Sequence, residues 1–258
     1  MAEATHSELI QDQFTRQAGM FNAAGTITNE QALKMIMEAG QAGSNDTVLD
    51  VACGGGIVVC AFAPHVRHAT GIDMTPAMLD QSRKLAAQKQ LTNVTWMKGD
   101  VTTLPFPDAS FSIVTTRFSF HHFLDPSKVM KEMVRVCAPG GRIVVVDMFC
   151  SEDAAKAARW NLLEKLRDPS HVRCLSLSEL KAMFSLVGLG APKAAFYDLR
   201  DTVKALLGRS FPNAGDDVKI TQMFSASVED DSLGLDVEFR DGEIHYAYPT
   251  AILSGAKK

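Results

Sequence analysis

The chain has 258 residues, of which 46% are hydrophobic and 22% are charged, as is usual for a soluble globular protein. Its net charge of −4 argues against a surface that coats nucleic acid, because such a surface needs an excess of basic residues. No apolar run approaches the roughly 20 residues of a membrane span. We therefore expect neither a nucleic-acid partner nor a membrane-spanning segment.

The cysteines and the start of the sequence indicate the compartment. The five cysteines form no C-x-x-C pair and several lie in apolar runs, which predicts reduced, buried thiols. The first residues lack the basic start and the apolar core of a signal peptide. We expect a cytoplasmic protein that is a monomer or a homodimer.

Residues 1–43 are predicted to form an N-terminal helical lid. A helix over residues 8–27 has scattered apolar side chains, and Thr28 is the expected N-cap of the next helix because Gln31 follows three residues later. Two roles stay open for this region, packing against the sheet edge and closing over a cofactor. Both can hold at once.

The stretch from Val48 to Val58 predicts a buried strand, a glycine turn and a helix. This order begins a nucleotide-binding βαβ unit, in which the glycines let a ligand approach the backbone. The third glycine of the dinucleotide fingerprint is replaced by Val59, and no P-loop lysine follows. Asp50 at the strand end would repel a pyrophosphate but suits a ligand with an ammonium group.

Further polar side chains follow the next strands. Asp73 ends the second strand, at the offset usual for a carboxylate that binds both ribose hydroxyls. Asp100 follows the third strand, and Arg117 ends the fourth. Because ligands of open parallel sheets bind at the carboxyl ends of the strands, these side chains predict one binding crevice.

The string Asp50-Val51-Ala52-Cys53-Gly54-Gly55-Gly56 resembles the first motif of class I S-adenosylmethionine-dependent methyltransferases, although Ala52 stands where many members have glycine. The resemblance covers residues 44–148, and its motifs look like those of the branch with ubiquinone and menaquinone biosynthesis enzymes. It implies an α/β fold with a seven-stranded, mostly parallel, doubly wound Rossmann-like sheet, an antiparallel terminal strand and a helical cap insertion.

The resemblance also implies S-adenosylmethionine as the cofactor and assigns roles within the crevice. Asp100 would accept the adenine amino group, and the N–H of Val101 would bind the ring. Arg117 would pair with a carboxylate such as Asp50 or close the pocket, the alternative being an ordinary surface arginine. The cofactor-binding residues expected are Asp50, Ala52, Gly54, Gly56, Asp73, Met74, Asp100, Val101 and Arg117.

The remaining chain divides around the cofactor-binding core of residues 44–150. Residues 151–190 are expected to form the helical cap, with a loop from Leu166 to Arg173 between two helices. Residues 191–258 are expected to complete the core sheet with a strand, two helices and a final hairpin. The Asp241-Gly242 pair between two alternating apolar runs is the turn signal of that hairpin.

Methyl transfer from a sulfonium requires an acceptor held in line with the methyl group, and a base if the acceptor is protonated. His121 and His122 follow the fourth strand and are the candidate catalytic residues, with a wall role and simple packing as alternatives. Arg167, His171 and Arg173 are candidate donors to a small, anionic acceptor. The alternative is a solvated loop in which Asp168 pairs with an arginine.

No metal site is expected, because the two histidines are adjacent and lack partners at ligand spacing. Asp147 is the one acid that could revise this expectation. The function predicted is methyl transfer from S-adenosylmethionine to a small organic molecule, on carbon, oxygen or nitrogen. The alternatives are a cofactor-binding protein of the same fold without methyl transfer and an NAD-dependent oxidoreductase; Val59 and the final hairpin argue against the second.

Overall fold

The computed structural model describes residues 4–22 and 28–258. The predicted chain break around Gly25, with the end of the 8–27 helix, lies outside these residues. The helices are α1 His6–Phe21, α2 Glu30–Gly40, α3 Ile57–Phe62, α4 Pro76–Gln88, α5 Pro126–Val136, α6 Ala154–Arg167, α7 Leu177–Leu186, α8 Val203–Gly208 and α9 Asp216–Asp230. The strands are β1 Thr47–Val51, β2 His68–Asp73, β3 Val94–Lys98, β4 Phe111–Arg117, β5 Cys137–Met148, β6 Lys193–Thr202, β7 Glu238–Arg240 and β8 Glu243–Ala256.

The sheet has the strand order β3-β2-β1-β4-β5-β8-β6, and the short β7 pairs with β8 beside this path. Neighbouring strands from β3 to β5 run parallel, whereas β8 runs antiparallel to both β5 and β6. The predicted seven-stranded, mostly parallel sheet with an antiparallel terminal strand is thereby confirmed. β1 and β4 are adjacent, but the chain continues from β1 to β2 on one side and from β4 to β5 on the other. The binding crevice of such sheets opens between the carboxyl ends of these two strands.

Helices cover both faces of the sheet. On one face α2, α3 and α4 bury a cluster that includes Ile36, Val59 and Phe62. On the other face α5 and α7 bury a cluster that includes Met130 and Phe184. A doubly wound sheet buries the apolar sides of its strands in this way, which leaves the strand ends as the place for polar side chains.

A third apolar cluster lies beneath α6, α8 and α9, with Trp160, Phe224 and Tyr248 among its members. The rings of Trp160 and Tyr248 stack at 5.4 Å, so α6 is anchored to the terminal strand β8. The helical insertion expected between β5 and β6 is therefore packed against the C-terminal elements. This packing brings the last turn of α6 near the carboxyl ends of β1, β2 and β4.

The glycine turn is required by packing as well as by backbone conformation. Gly56 has φ of 78°, and a Cβ placed on it would lie 2.5 Å from the ring of Trp96 on β3 and 2.7 Å from Ser82 on α4. Any side chain there would push α3 away from the sheet. The turn therefore brings the start of α3 close to the strands.

The terminal hairpin is present, with Asp241 and Gly242 both in the left-handed region at φ of 55° and 83°. This is the conformation of a type I′ turn, which matches the twist of the strands. Its first strand, β7, begins at Glu238 and not at Leu235, where the apolar run begins, because Asp236 with φ of 51° bends the chain between them.

Two boundaries also differ from expectation. The N-cap of α2 is Asn29 and not Thr28, because the Asn29 side chain accepts the N–H of Ala32 at 3.0 Å. β5 begins at Cys137, six residues before the apolar run from Ile143 that predicts this strand. The Pro139-Gly140-Gly141 segment bulges between the Cys137–Phe111 and Arg142–Ile113 pairs with β4. Among the described residues no helix is long and apolar enough to cross a bilayer.

Candidate functional site

A cavity of about 450 Å³ lies at the carboxyl ends of β1, β2 and β4. Its walls come from these strand ends, from one side of α1, from the last turn of α6 and from the C-terminal elements. Most of the predicted cofactor residues line it: Asp50, Ala52, Gly54, Asp73, Met74, Asp100, Val101 and Arg117. Gly56 does not line the cavity; it allows the start of α3 to pack closely against Trp96 and Ser82.

Asp50 is a buried carboxylate that needs a cation. It is only 2% exposed, and its Oδ1 has no hydrogen-bond partner among the described residues. Burial raises the pKa of Asp50 well above its usual value; Arg117 opposes this shift and Asp73 adds to it. An unpaired buried oxygen beside a glycine turn fits the amino group of a bound ligand, which would supply the missing donor.

Asp73 links the second strand to the glycine turn. Its Oδ2 accepts the N–H of Gly54 at 2.9 Å, and its Oδ1 accepts the N–H of Thr75 at 2.8 Å. Burial raises its pKa, against the effect of these two hydrogen bonds. Because each carboxylate oxygen can accept more than one hydrogen bond, the fixed carboxylate can still bind a vicinal diol.

The adenine end of the predicted crevice is more open. Asp100 is exposed, and its two oxygens accept the N–H and the hydroxyl of Thr102 at 2.8 and 2.9 Å. Arg117 is buried, with its guanidinium 4.6 Å from the ring centre of Phe118. This position is not that of an ordinary surface arginine, and the charge of Arg117 acts on Asp50.

The two predicted catalytic histidines lie on a short 3₁₀ turn, Phe120–His122, and both line the cavity. Nδ1 of His121 lies 2.7 Å from Oδ1 of Asp147, and both side chains are buried. Nδ1 of His122 faces the carbonyl of Ser170 at 3.1 Å. Burial, followed by the neighbouring His121, lowers the pKa of His122 to about 4, so His122 is neutral at physiological pH.

Helix α1 contributes one wall of the cavity through His6, Ile10, Phe14 and Phe21. Nε2 of His6 lies 2.7 Å from the carbonyl of His122, and the ring of Phe14 packs edge-on against the His122 ring at 5.1 Å. At its other end, Asn22 donates from Nδ2 to the carbonyl of Gly55 at 3.1 Å. The helix therefore contacts both the glycine turn and the histidine turn.

Of the three predicted acceptor-binding side chains, Arg167 alone lines the cavity. Its Nε and Nη2 donate to Glu164 at 2.8 and 2.7 Å, and Tyr248 donates to the same carboxylate at 2.5 Å. Burial alone would lower the pKa of Arg167, but the charges of Glu164, Tyr248 and Asp168 and the hydrogen bond to Glu164 together outweigh burial and raise that pKa. Arg167 is thus a fixed cation in the cavity wall.

The structure does not bring His171 and Arg173 to the cavity. His171 is fully buried, and its Nε2 lies 2.9 Å from Oδ1 of Asn161. Arg173 is half exposed and forms an ion pair with Glu179 at 2.8 Å. The loop is not the solvated loop of the alternative either, because Asp168 is 2% exposed and accepts the N–H and hydroxyl of Ser170.

Several lining residues have no local sequence signal. Arg209, Leu199 and Tyr248 come from the C-terminal elements, and His6 comes from the start of α1. Each is far from the motifs in the chain, and only the sheet order brings them together. The pairing of His121 with Asp147 is of the same kind: His121 follows β4, and Asp147 lies near the end of β5, the neighbouring strand in the sheet.

No group of three or more histidine, cysteine or acidic side chains has the geometry of a metal site within residues 4–22 and 28–258. The five cysteines are all buried and free. The polar groups that line the cavity include carboxylates, histidines and the arginines Arg117, Arg167 and Arg209.

Comparisons with known proteins agree with this arrangement. A family model described as a methyltransferase domain matches residues 49–145. An uncharacterized methyltransferase of Bacillus subtilis, YcgJ, is 36% identical over 187 residues, which cover 72% of each chain. In its crystal structure the same protein superimposes with a TM-score of 0.83 at 30% identity, covering 89% of this chain and 99% of the other.

A demethylmenaquinone methyltransferase of Deinococcus radiodurans is 45% identical over 103 residues. The match covers 39% of this chain and 42% of that enzyme. The chain therefore belongs to the methyltransferase family.

Proposed function

We propose that this chain binds S-adenosylmethionine in the cavity at the strand ends and methylates a small organic acceptor there. The observation that carries the proposal is Asp50, a buried carboxylate with an unpartnered oxygen beside the glycine turn. A ligand amino group at this place would satisfy the oxygen and keep the carboxylate charged. When bound, S-adenosylmethionine supplies an electrophilic methyl group on a sulfonium.

The other strand-end residues have complementary roles in this proposal. Asp73 binds the ribose hydroxyls through oxygens that the N–H groups of Gly54 and Thr75 hold in place. Asp100 and Val101 bind the adenine at the open end of the cavity. Arg117 offsets the negative charge of Asp50 and Asp73, which would otherwise repel each other at close range.

Helix α1 acts as the lid and residues 151–190 act as the cap in this proposal. The bond from Asn22 to Gly55 ties α1 to the segment that would contact the cofactor. Phe14 and Ile10 exclude water from the other end of the cavity. Dry surroundings strengthen the electrostatic effects of the buried charges on a reaction.

The acceptor in this proposal is a small molecule with a negative charge, bound by Arg167 from the cap. Arg167 is 13% exposed and has a planar fork, of which Nε and Nη2 are held by Glu164. Nη1 remains to contact a carboxylate or phenolate of the acceptor. His171 and Arg173 would act only indirectly, by holding the loop around Asp168.

Two measurements test the function. Calorimetry should give a much tighter dissociation constant for S-adenosylhomocysteine than for NAD, and the opposite order would contradict the proposal. Incubation with methyl-labelled S-adenosylmethionine and a metabolite extract should then label a small molecule. Binding without any labelled product would support the alternative of a cofactor-binding protein that lacks transferase activity.

A further inference from the structure

We propose that His121, oriented by Asp147, takes a proton from the acceptor, and that the methylated atom is therefore a protonated oxygen or nitrogen. The inference rests on the proposed function and narrows its acceptor class. His121 is the catalytic residue in this scheme, and Asp147 is a positioning residue that acts through it.

The carboxylate of Asp147 is fixed by backbone donors. Its Oδ2 accepts the N–H of Phe120 at 2.7 Å, and its Oδ1 accepts the N–H of Met148 at 2.8 Å. His121 is held from the other side, because its carbonyl accepts the N–H groups of Val172 and Arg173 at 2.9 and 3.2 Å. The carboxylate of Asp147 and the backbone of His121 are therefore both held in place.

This geometry selects one tautomer of His121. A carboxylate only accepts hydrogen bonds, so the ring nitrogen 2.7 Å from Asp147, Nδ1, carries the proton. Nε2 then holds a lone pair. None of the residues that the structure describes forms a hydrogen bond with Nε2, and Nε2 is not among their fully buried unpartnered atoms. Since His121 lines the cavity, Nε2 is accessible to a ligand there.

The surrounding titratable groups do not compete for the proton. The ring of His121 lies 4.4 Å from the ring of His122 and 5.6 Å from that of His171. Burial, followed by the charge of His121, lowers the pKa of His171 to about 3, and that of His122 is about 4. Both stay neutral near pH 7 and are poor bases there.

The charged groups around this trio come from the cap and from β5. Arg167 and Asp168 act on His122, and Glu164 and Arg167 act on His171, whereas Asp147 faces His121 directly. His121 is thus the one member of the three that has a carboxylate on its ring nitrogen. An imidazolium formed on His121 would be stabilised by that carboxylate, as in other carboxylate–histidine pairs.

The proton and electron balance of the step is simple. The acceptor oxygen or nitrogen forms a bond to the methyl carbon while the carbon–sulfur bond breaks, and sulfur keeps the electron pair. The proton of the acceptor moves to Nε2 of His121 and later passes to solvent. No oxidant, reductant or metal is needed.

The first test needs no acceptor. Nitrogen-15 NMR of histidine-labelled full-length protein with S-adenosylhomocysteine at pH 8 should show His121 protonated at Nδ1 and bare at Nε2, with His121→Gln used to assign the signal. In Asp147→Asn the charged acceptor is lost, and the Nε2-protonated form should become populated. A wild-type ring protonated at Nε2, or no change in Asp147→Asn, would overturn the proposal.

The second test follows labelled methyl transfer into pooled metabolites. His121→Gln should lose at least a hundredfold in turnover at pH 7, within the range for general-base catalysis, and regain rate as hydroxide replaces the base at higher pH. S-adenosylhomocysteine affinity should stay within twofold. His65→Gln, which removes an exposed histidine, is the matched control and should match wild type. Methyl found on carbon, or full turnover by His121→Gln, would refute the assignment.

The two tests separate this inference from the proposed function. If wild type failed to bind S-adenosylhomocysteine, the proposed function itself would fall. If wild type bound it and labelled a product, and His121→Gln did so equally well, only the proposed role of His121 and Asp147 in proton transfer would be refuted.

Discussion

Asp73, the last residue of β2, accepts the backbone N–H of Gly54 at 2.9 Å and so connects the second strand end to the glycine turn after β1. Ser82 on α4 donates to the carbonyl of the same glycine at 2.8 Å. Both polar groups of the Gly54 backbone are thereby used by the protein. The turn is shaped before any ligand binds, which lowers the entropy lost on binding.

We expect Asp73→Ala to weaken S-adenosylhomocysteine binding strongly. Each hydrogen bond to a charged acceptor contributes on the order of 1.5–3 kcal/mol, so loss of one bond predicts about a tenfold to hundredfold rise in the dissociation constant by calorimetry. Asp80→Ala removes an exposed carboxylate on α4 and serves as the control. Unchanged affinity in Asp73→Ala would mean that the ribose is bound elsewhere.

The second prediction concerns the space at Gly56. Gly56→Ala should destabilise the protein more than Gly188→Ala, although both glycines have φ near 80°. A Cβ at Gly188 meets nothing within 4 Å, whereas one at Gly56 meets Trp96 at 2.5 Å. The difference isolates the steric effect, expected at about 1–3 kcal/mol for an overpacked site. Equal urea midpoints for the two variants would contradict it.

The sequence was informative where a candidate site residue lies at, or just after, the carboxyl end of a strand. Asp50, Asp73 and Asp100 are in this position, and the order of parallel strands carries all three to one edge of the sheet. The seven-stranded fold was predicted from the resemblance of these motifs to the methyltransferase family. Local chemistry and chain topology lead to the same conclusion there.

The residues proposed to bind the acceptor could not be predicted from their positions relative to the strands. Arg167 lines the cavity and is held by Glu164, and Glu164 is held in turn by Tyr248, which is far away in the chain. Its neighbours His171 and Arg173 have the same donor chemistry in the sequence, yet one is buried and the other is paired at the surface. Nothing in their residue types distinguishes the three.

The third prediction is a loss of stability in mild acid. The pKa of His122 in the folded protein is about 4 and that of His171 about 3, both below the usual value of 6.5. The unfolded chain therefore binds more protons in this range, so stability is fully present above pH 6.5 and falls as pH drops toward 4. Unfolding curves between pH 8 and pH 4 measure it.

The double variant His122→Gln, His171→Gln should flatten this part of the profile, because glutamine does not titrate. His65→Gln, at an exposed site, should leave the profile unchanged. A wild-type unfolding free energy that stayed constant from pH 7 to pH 4 would show that these two rings are not held neutral in the fold.

The fourth prediction concerns the lid role of α1. The helix contacts the glycine turn through Asn22 and the histidine turn through His6 and Phe14. Amide hydrogen exchange over residues 8–22 should slow when S-adenosylhomocysteine binds, because a ligand in the cavity adds contacts to this helix. Exchange in α9, which lies outside the cavity, should not change. Equal protection of residues 8–22 with and without ligand would leave α1 a packing role only.

The last prediction separates the acceptor side from the cofactor side. Arg167→Lys keeps the positive charge near Glu164 but loses the planar fork, so a carboxylate of the acceptor would be bound by a point charge. We expect the apparent KM for the labelled acceptor to rise about tenfold, equivalent to the roughly 1.4 kcal/mol of one charged hydrogen bond. The dissociation constant of S-adenosylhomocysteine should not change. Arg173→Lys makes the same chemical change at a half-exposed ion pair and is the matched control. If Arg173→Lys raised KM as much as Arg167→Lys, or if Arg167→Lys weakened cofactor binding alone, Arg167 would not be the residue that binds the acceptor.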